Sequence, residues 1–130
     1  MTDTSGDIAA YVKYRLEKAR ETYHAAEVLA QAECWNSVVN RLYYSCFYAA
    51  SAVLLHMQVS AKTHSGVLGK FSEHLVRTGV FDIEEFRVYA KLLSWRTKGD
   101  YGDLFDFERD DVAPLMPKVR HFVDKATSLT

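Results

Sequence analysis

Apolar residues return along this chain at intervals of three and four, and no stretch alternates in the way a half-buried strand would. Val12, Leu16, Ala19, Tyr23, Ala26 and Ala30 fall on one stripe, with Lys13, Glu17, Lys18, Arg20 and Glu21 on the other faces, which predicts one long amphipathic helix. A second helix is predicted from about Trp35 to His56. It is apolar nearly all round, so it should be the central helix that the others cover. Residues 57–63 read as a connection, and Thr63 is placed to cap a third helix carrying Val67, Leu68, Phe71, Leu75 and Val76 that ends near Gly79. Asp82 should cap a fourth helix, with Glu84 and Glu85 in a first turn where the macrodipole favours acids. Its apolar residues run through Phe86, Tyr89, Ala90, Leu93 and Trp95, and Gly99 and Gly102 are expected to stop it. A last helix carries Val112, Leu115, Met116, Val119, Phe122, Val123 and Ala126. Pro114 and Pro117 imply that it starts near 113 or kinks there, because proline is tolerated only in a first turn. The expected fold is all-α, an antiparallel bundle of four to five helices in a single domain over residues 8–128, with a disordered polar segment at 1–7.

Composition changes this picture little. At 130 residues, 48% apolar and 25% charged, the chain suits one ordinary domain with one core. A net charge of −1 excludes a general positive field, so any contact with RNA must come through a local cluster of basic residues. Cys34 and Cys46 do not resemble a disulfide framework. The acidic start carries no basic region followed by an apolar one, and the apolar run from Leu42 to Leu55 is shorter than the roughly 20 residues that span a bilayer. A cytoplasmic location without membrane contact is therefore expected.

The candidate chemistry lies in two arginines. Arg41 sits inside the most apolar stretch, with Tyr44 and Tyr48 on its stripe, and Arg96 shares a stripe with Phe86, Tyr89 and Leu93. A guanidinium keeps its proton and is costly to bury alone, so each needs an acid, a phosphate or an opening to water. Arg96 is followed by Gly99-Asp100-Tyr101-Gly102-Asp103, which reads as a turn. Signatures for nucleotide loops, serine hydrolases and zinc proteases are missing. The five histidines show no metal-ligand spacing, so no cofactor and no metal are expected.

The residues also carry a resemblance. The run from Asn40 to Ala50 (NRLYYSCFYAA), then Lys62-Thr63-His64-Ser65-Gly66-Val67, then Val76 to Gly79, then Arg96 through Asp100 and Tyr101, resembles the HEPN family, in particular its small single-domain prokaryotic members. The match covers residues 8–127 in consistent order. It implies an all-helical domain that usually forms a homodimer, often encoded beside a minimal nucleotidyltransferase as a toxin and antitoxin pair. Active members of the wider family are metal-independent ribonucleases using an arginine followed four to six residues later by a histidine. There, activation of an RNA 2′-hydroxyl leaves a 2′,3′-cyclic phosphate while the arginine neutralises charge building on phosphorus. By position Arg96 is that arginine, with Asp100 and Tyr101 completing the implied catalytic set. Tyr101 stands where the histidine is expected, and an unperturbed phenol is a poor base at neutral pH. In some pairs of this family the transferase attaches AMP to a tyrosine in or near the motif, which makes Tyr101 a modification candidate.

Blander roles stand beside these. Arg41 and Arg96 could form buried ion pairs with Asp100 or Asp103 that fix the bundle's register. Tyr43, Tyr44 and Tyr48 fit core or interface packing as well as a base-stacking platform. Tyr44 is a supporting residue beside Arg41. His64, next to Lys62 and near a helix start, is the histidine best placed to meet an anion. Three classes remain open: an RNA-cleaving or RNA-binding toxin, a non-catalytic regulator that binds a nucleotide or the nucleotidyltransferase, and a plain helical interaction module.

Overall fold

The stretch with the fewest polar interruptions becomes the element that all the others touch. A computed structural model of the chain describes residues 5–101 and 106–130, with side-chain surroundings for 6–98 and 106–130. Its elements are α1 (Ser5–Gln31), α2 (Trp35–His56), α3 (His64–Phe71) running into a π turn (Ser72–Val76), α4 (Ile83–Tyr101), α5 (Arg109–Val112) and, after a 3₁₀ turn (Ala113–Leu115), α6 (Met116–Ser128). No strand occurs among the described residues, and no helix there is long and apolar enough to cross a membrane. The molecule is an all-α bundle with α2 packed against α1, α3, α4 and α6.

Sequence explains why α2 takes that place. Val38, Val39, Leu42, Tyr43, Cys46, Ala49, Ala50 and Ala52 are fully buried and lie all round the helix. On the side of α1, small residues join Val12 and Leu16 in the buried face. Ala19 and Ala26 are fully buried, and the Ser45 hydroxyl donates to the Ala19 carbonyl at 2.8 Å, so the two helices approach closely with the hydroxyl satisfied. A second apolar centre joins α3, α4 and α6. Phe71, Phe81 and Phe122 meet there with centroids 4.8 to 5.4 Å apart, and Tyr89 leans on Phe71 and Phe122.

The helix ends follow local chemistry. α1 closes on Glu33 in the left-handed region (φ 59°), with Cys34 N–H donating to the Leu29 carbonyl and Glu33 N–H to that of Ala30. The end of α2 repeats this at Gln58 (φ 60°), where Val59 and Gln58 donate to Leu54 and Leu55. Thr63 caps α3 as its position implied, accepting from Gly66 N–H at 2.9 Å. Asp82 and Glu85 form a reciprocal capping box at the start of α4, each side chain accepting from the other's N–H at 2.8 Å. Glu85 also accepts from Lys125 of α6 at 2.8 Å, which ties the start of α4 to the last helix.

Two boundaries differ from the sequence reading, and two others gain detail. Helix α1 begins at Ser5, so residues 5–7 of the polar segment belong to it; residues 1–4 lie outside the described residues. Gly99 does not stop α4, which continues to Tyr101. One glycine costs a helix about 1 kcal/mol relative to alanine, too little to end one anchored by Tyr89 and Leu92. The third element loosens into the π turn and then ends near Gly79 as expected, with Gly79 in the left-handed region (φ 83°) and Phe81 N–H donating to the Leu75 carbonyl. Around the prolines the chain makes a short α5 from Arg109 with Glu108 as its capping-box residue, turns in 3₁₀ geometry at Pro114, and starts α6 with Pro117 in its first turn.

Candidate functional site

Arg41, Tyr44 and Tyr48 fall at i, i+3 and i+7 on α2, which puts them on one helical stripe. The Arg41 guanidinium lies 5.4 Å from the Tyr44 ring centroid, and the Tyr44 and Tyr48 rings are 6.0 Å apart. Asn40 fixes the approach, its side-chain oxygen accepting from Arg41 Nε at 3.1 Å and Nη2 at 2.6 Å. Helix α4 packs across α2 and delivers Arg96 to the same place, 5.3 Å from the centroids of both Tyr43 and Tyr44. Two half-buried guanidiniums therefore share the Tyr44 ring. Each cation–π contact contributes roughly 0.5–1 kcal/mol.

The first residue of α3 completes the cluster. His64 stacks on Phe47 (centroids 4.6 Å apart, planes at 16°) and on Tyr43 (5.8 Å, 27°), and meets Tyr44 edge to face (5.7 Å, 84°). Its Nδ1 lies 2.6 Å from the Tyr43 hydroxyl. Burial, and after it the Arg96 guanidinium, holds the His64 imidazole below its ordinary pKa, so the ring is neutral at pH 7. Burial pushes the Tyr43 phenol well up, with Arg96 working partly against it, so Tyr43 keeps its proton. Behind it Tyr89 is fully buried and its hydroxyl has no hydrogen-bond partner among the described residues; burial likewise raises its pKa.

Of the residues singled out in the sequence, the structure brings Arg41, Tyr44, His64 and Arg96 into one cluster. Lys62, two positions before His64, is exposed. Asp100 lies one helical turn beyond Arg96 on α4 and Tyr101 follows it, but their side chains lie outside the described residues, as does Asp103, so the ion pairs expected of them do too. Tyr43 and Asn40 were not assigned to the site by sequence. The only signal for Tyr43 was a phenol in a helix that is apolar all round, since a buried hydroxyl must find a partner. Asn40 had only its adjacency to Arg41.

The arrangement suits an oxyanion with an attached flat group. Two guanidiniums and a neutral imidazole carry N–H groups, and the half-buried Tyr48 ring beside them supplies stacking area. A separate hollow lined by Ile8, Arg15, Ser51, Leu54 and Val67 among others contains one cation, Arg15, whose guanidinium donates to the Ser51 carbonyl at 3.2 Å.

Comparison with known proteins bears on this geometry. Residues 12–129 match the model of the HEPN domain. A UPF0332 protein of Thermotoga maritima is 37% identical over 118 residues, covering 91% of this chain and 89% of the relative. A Methanocaldococcus jannaschii protein named "Putative toxin MJ0142" is 32% identical over 110 residues, covering 85% of this chain and 75% of its own. A second protein from that organism, named "Putative toxin MJ0605", is 32% identical over 95 residues, with 73% and 71% covered.

Proposed function

The chain belongs to the HEPN family, and from that premise we propose that it is the RNA-directed toxin of a two-component module, binding and cleaving RNA without a metal ion. The observation that carries this reading is the convergence of Arg41 and Arg96 on Tyr44, from two different helices. A phosphodiester offers acceptors to both guanidiniums at once, and an adjacent base can stack on the half-buried Tyr48 ring. The names given to the two Methanocaldococcus relatives agree with a toxin. In the cleavage step the 2′-oxygen attacks phosphorus, the 5′-oxygen leaves and takes up a proton, and a 2′,3′-cyclic phosphate remains. Arg96 would stabilise the charge on the phosphorane, with Asp100 and Tyr101 handling protons. The working unit is a homodimer beside a minimal nucleotidyltransferase, as in the family members the sequence resembles. Transfer of AMP to Tyr101, with the phenol oxygen attacking the α-phosphorus of ATP and pyrophosphate leaving, would silence the site.

A regulatory reading is favoured by one observation, the tyrosine at the fifth position after Arg96 where a histidine would serve as base. In that case the same cluster binds nucleotide or the transferase without cleaving. Incubation with total RNA in excess chelator, beside a folded Arg96→Ala variant, separates the two. Cleavage by the wild type alone, leaving cyclic phosphate ends, supports the nuclease. Intact RNA in both, with Tyr101 shown unmodified by mass spectrometry, supports the regulator.

A further inference from the structure

We propose that Tyr43 and His64 act as a pair in which the phenol fixes the imidazole tautomer, and the imidazole then donates its Nε2–H to a non-bridging oxygen of the phosphodiester held by Arg41 and Arg96. The inference rests on the anion-site reading above and adds to it a neutral donor and the residue that positions it.

Hydrogen-bond accounting at Tyr43 fixes the direction of the contact. Its side chain is fully buried, and among the described residues its hydroxyl has one partner, Nδ1 of His64 at 2.6 Å. Were Nδ1 to carry the imidazole proton, the phenol hydrogen would be buried without an acceptor, which is a costly state. The phenol therefore donates, Nδ1 accepts, and the proton of the neutral ring sits on Nε2. Face-on stacking against Phe47 and the edge contact with Tyr44 hold the ring in place.

Charge explains why a neutral donor fits here. The groups facing His64 are the phenols Tyr43 and Tyr44 and the Phe47 ring from α2, and the cation that acts on it is Arg96 from α4. Arg96 and Arg41 already load the Tyr44 ring with two positive charges. A third cation would add to the repulsion between the two guanidiniums, whereas a neutral N–H adds a directed hydrogen bond without it. The same tautomer has no lone pair on Nε2, so His64 in this state is a ligand-binding donor and does not replace the missing base of the Arg96 motif.

The test is nitrogen-15 NMR of the His64 ring at pH 7, with and without a short single-stranded oligoribonucleotide, in the wild type, Tyr43→Phe and His64→Gln. Expected are the Nε2–H tautomer in the wild type, a shift of that N–H on adding RNA, and a mixed tautomer in Tyr43→Phe with RNA binding weakened about tenfold. His64→Gln, which keeps an N–H donor, should bind more tightly than His64→Ala; melting curves identify variants that remain folded. An Nδ1–H tautomer in the wild type overturns the proposal. So does a His64 signal unmoved by RNA while the Arg96 Nε signal shifts, in which case the anion site stands and the pair is not part of it. If neither signal moves, the anion-site reading fails and the pair falls with it.

Discussion

Arg41 and Arg96 come from different helices yet rest on one ring, their guanidiniums 5.4 and 5.3 Å from the centroid of Tyr44. Arg41 donates to the neutral side chain of Asn40, and no carboxylate pairs with it among the described residues. Removing Arg41 therefore takes away a cation–π contact and also relieves repulsion from Arg96. We expect Arg41→Ala to change stability by no more than about 1 kcal/mol, against the roughly 3–5 kcal/mol lost when one partner of a buried ion pair is removed. Thermal melts of the two proteins check this. Added phosphate or RNA should raise the melting temperature of the wild type more than that of the variant, because a ligand stabilises the folded state only as far as it binds it.

His64 makes stability depend on pH in a predictable direction. Its folded pKa lies below the ordinary value of 6.5, chiefly through burial and then through Arg96. Above 6.5 the ring is neutral in both states and the effect is fully present. As pH falls below 6.5 the unfolded chain takes up the proton first, so stability declines until the folded ring titrates too. Melting temperatures between pH 7 and pH 5 should fall more steeply for the wild type than for His64→Gln. Parallel slopes would show that His64 is not held neutral by the fold.

A backbone prediction concerns Gln58, which ends α2 at φ 60° and so carries a side chain in the left-handed region. For a residue with a Cβ that conformation costs about 1–2 kcal/mol, which glycine avoids while adding freedom to the unfolded chain. Gln58→Gly should therefore raise stability by roughly 0.5–1 kcal/mol in chemical denaturation. Glu33 has the same backbone geometry (φ 59°) but also faces Arg109 at 3.4 Å, so Glu33→Gly should gain less.

Much of the architecture was legible because α2 announces itself. A helix that is apolar all round has to be enclosed, and its bounds at Trp35 and His56 follow from where that pattern stops. The Thr63 and Asp82 caps were legible for a related reason, since capping depends on residues three apart. Gly99 misled because helix propensity is weak next to packing by Tyr89 and Leu92. The π turn at Ser72–Val76 left no periodic trace, being one extra residue in an otherwise helical segment. At the site, the Arg41–Tyr44 stripe could be read from spacing along one helix. That Arg96 and His64 join it could not be, because both arrive from other elements through tertiary packing, and the Tyr43 hydroxyl gives no sign in the sequence of which polar atom it will meet.

The most direct test of the account is the affinity of the protein for single-stranded RNA as a function of salt, compared among the wild type, Arg41→Ala, Arg96→Ala and the exposed control Arg87→Ala. Arg87 pairs with Glu84 on the surface of α4, away from the aromatic cluster. Each of the two site variants should bind more weakly and lose close to one unit of salt slope, as expected when one phosphate contact disappears, while Arg87→Ala should behave as the wild type does. Equal affinities and slopes in all four proteins would contradict it, leaving Arg41 and Arg96 as residues that pack the bundle and bind nothing.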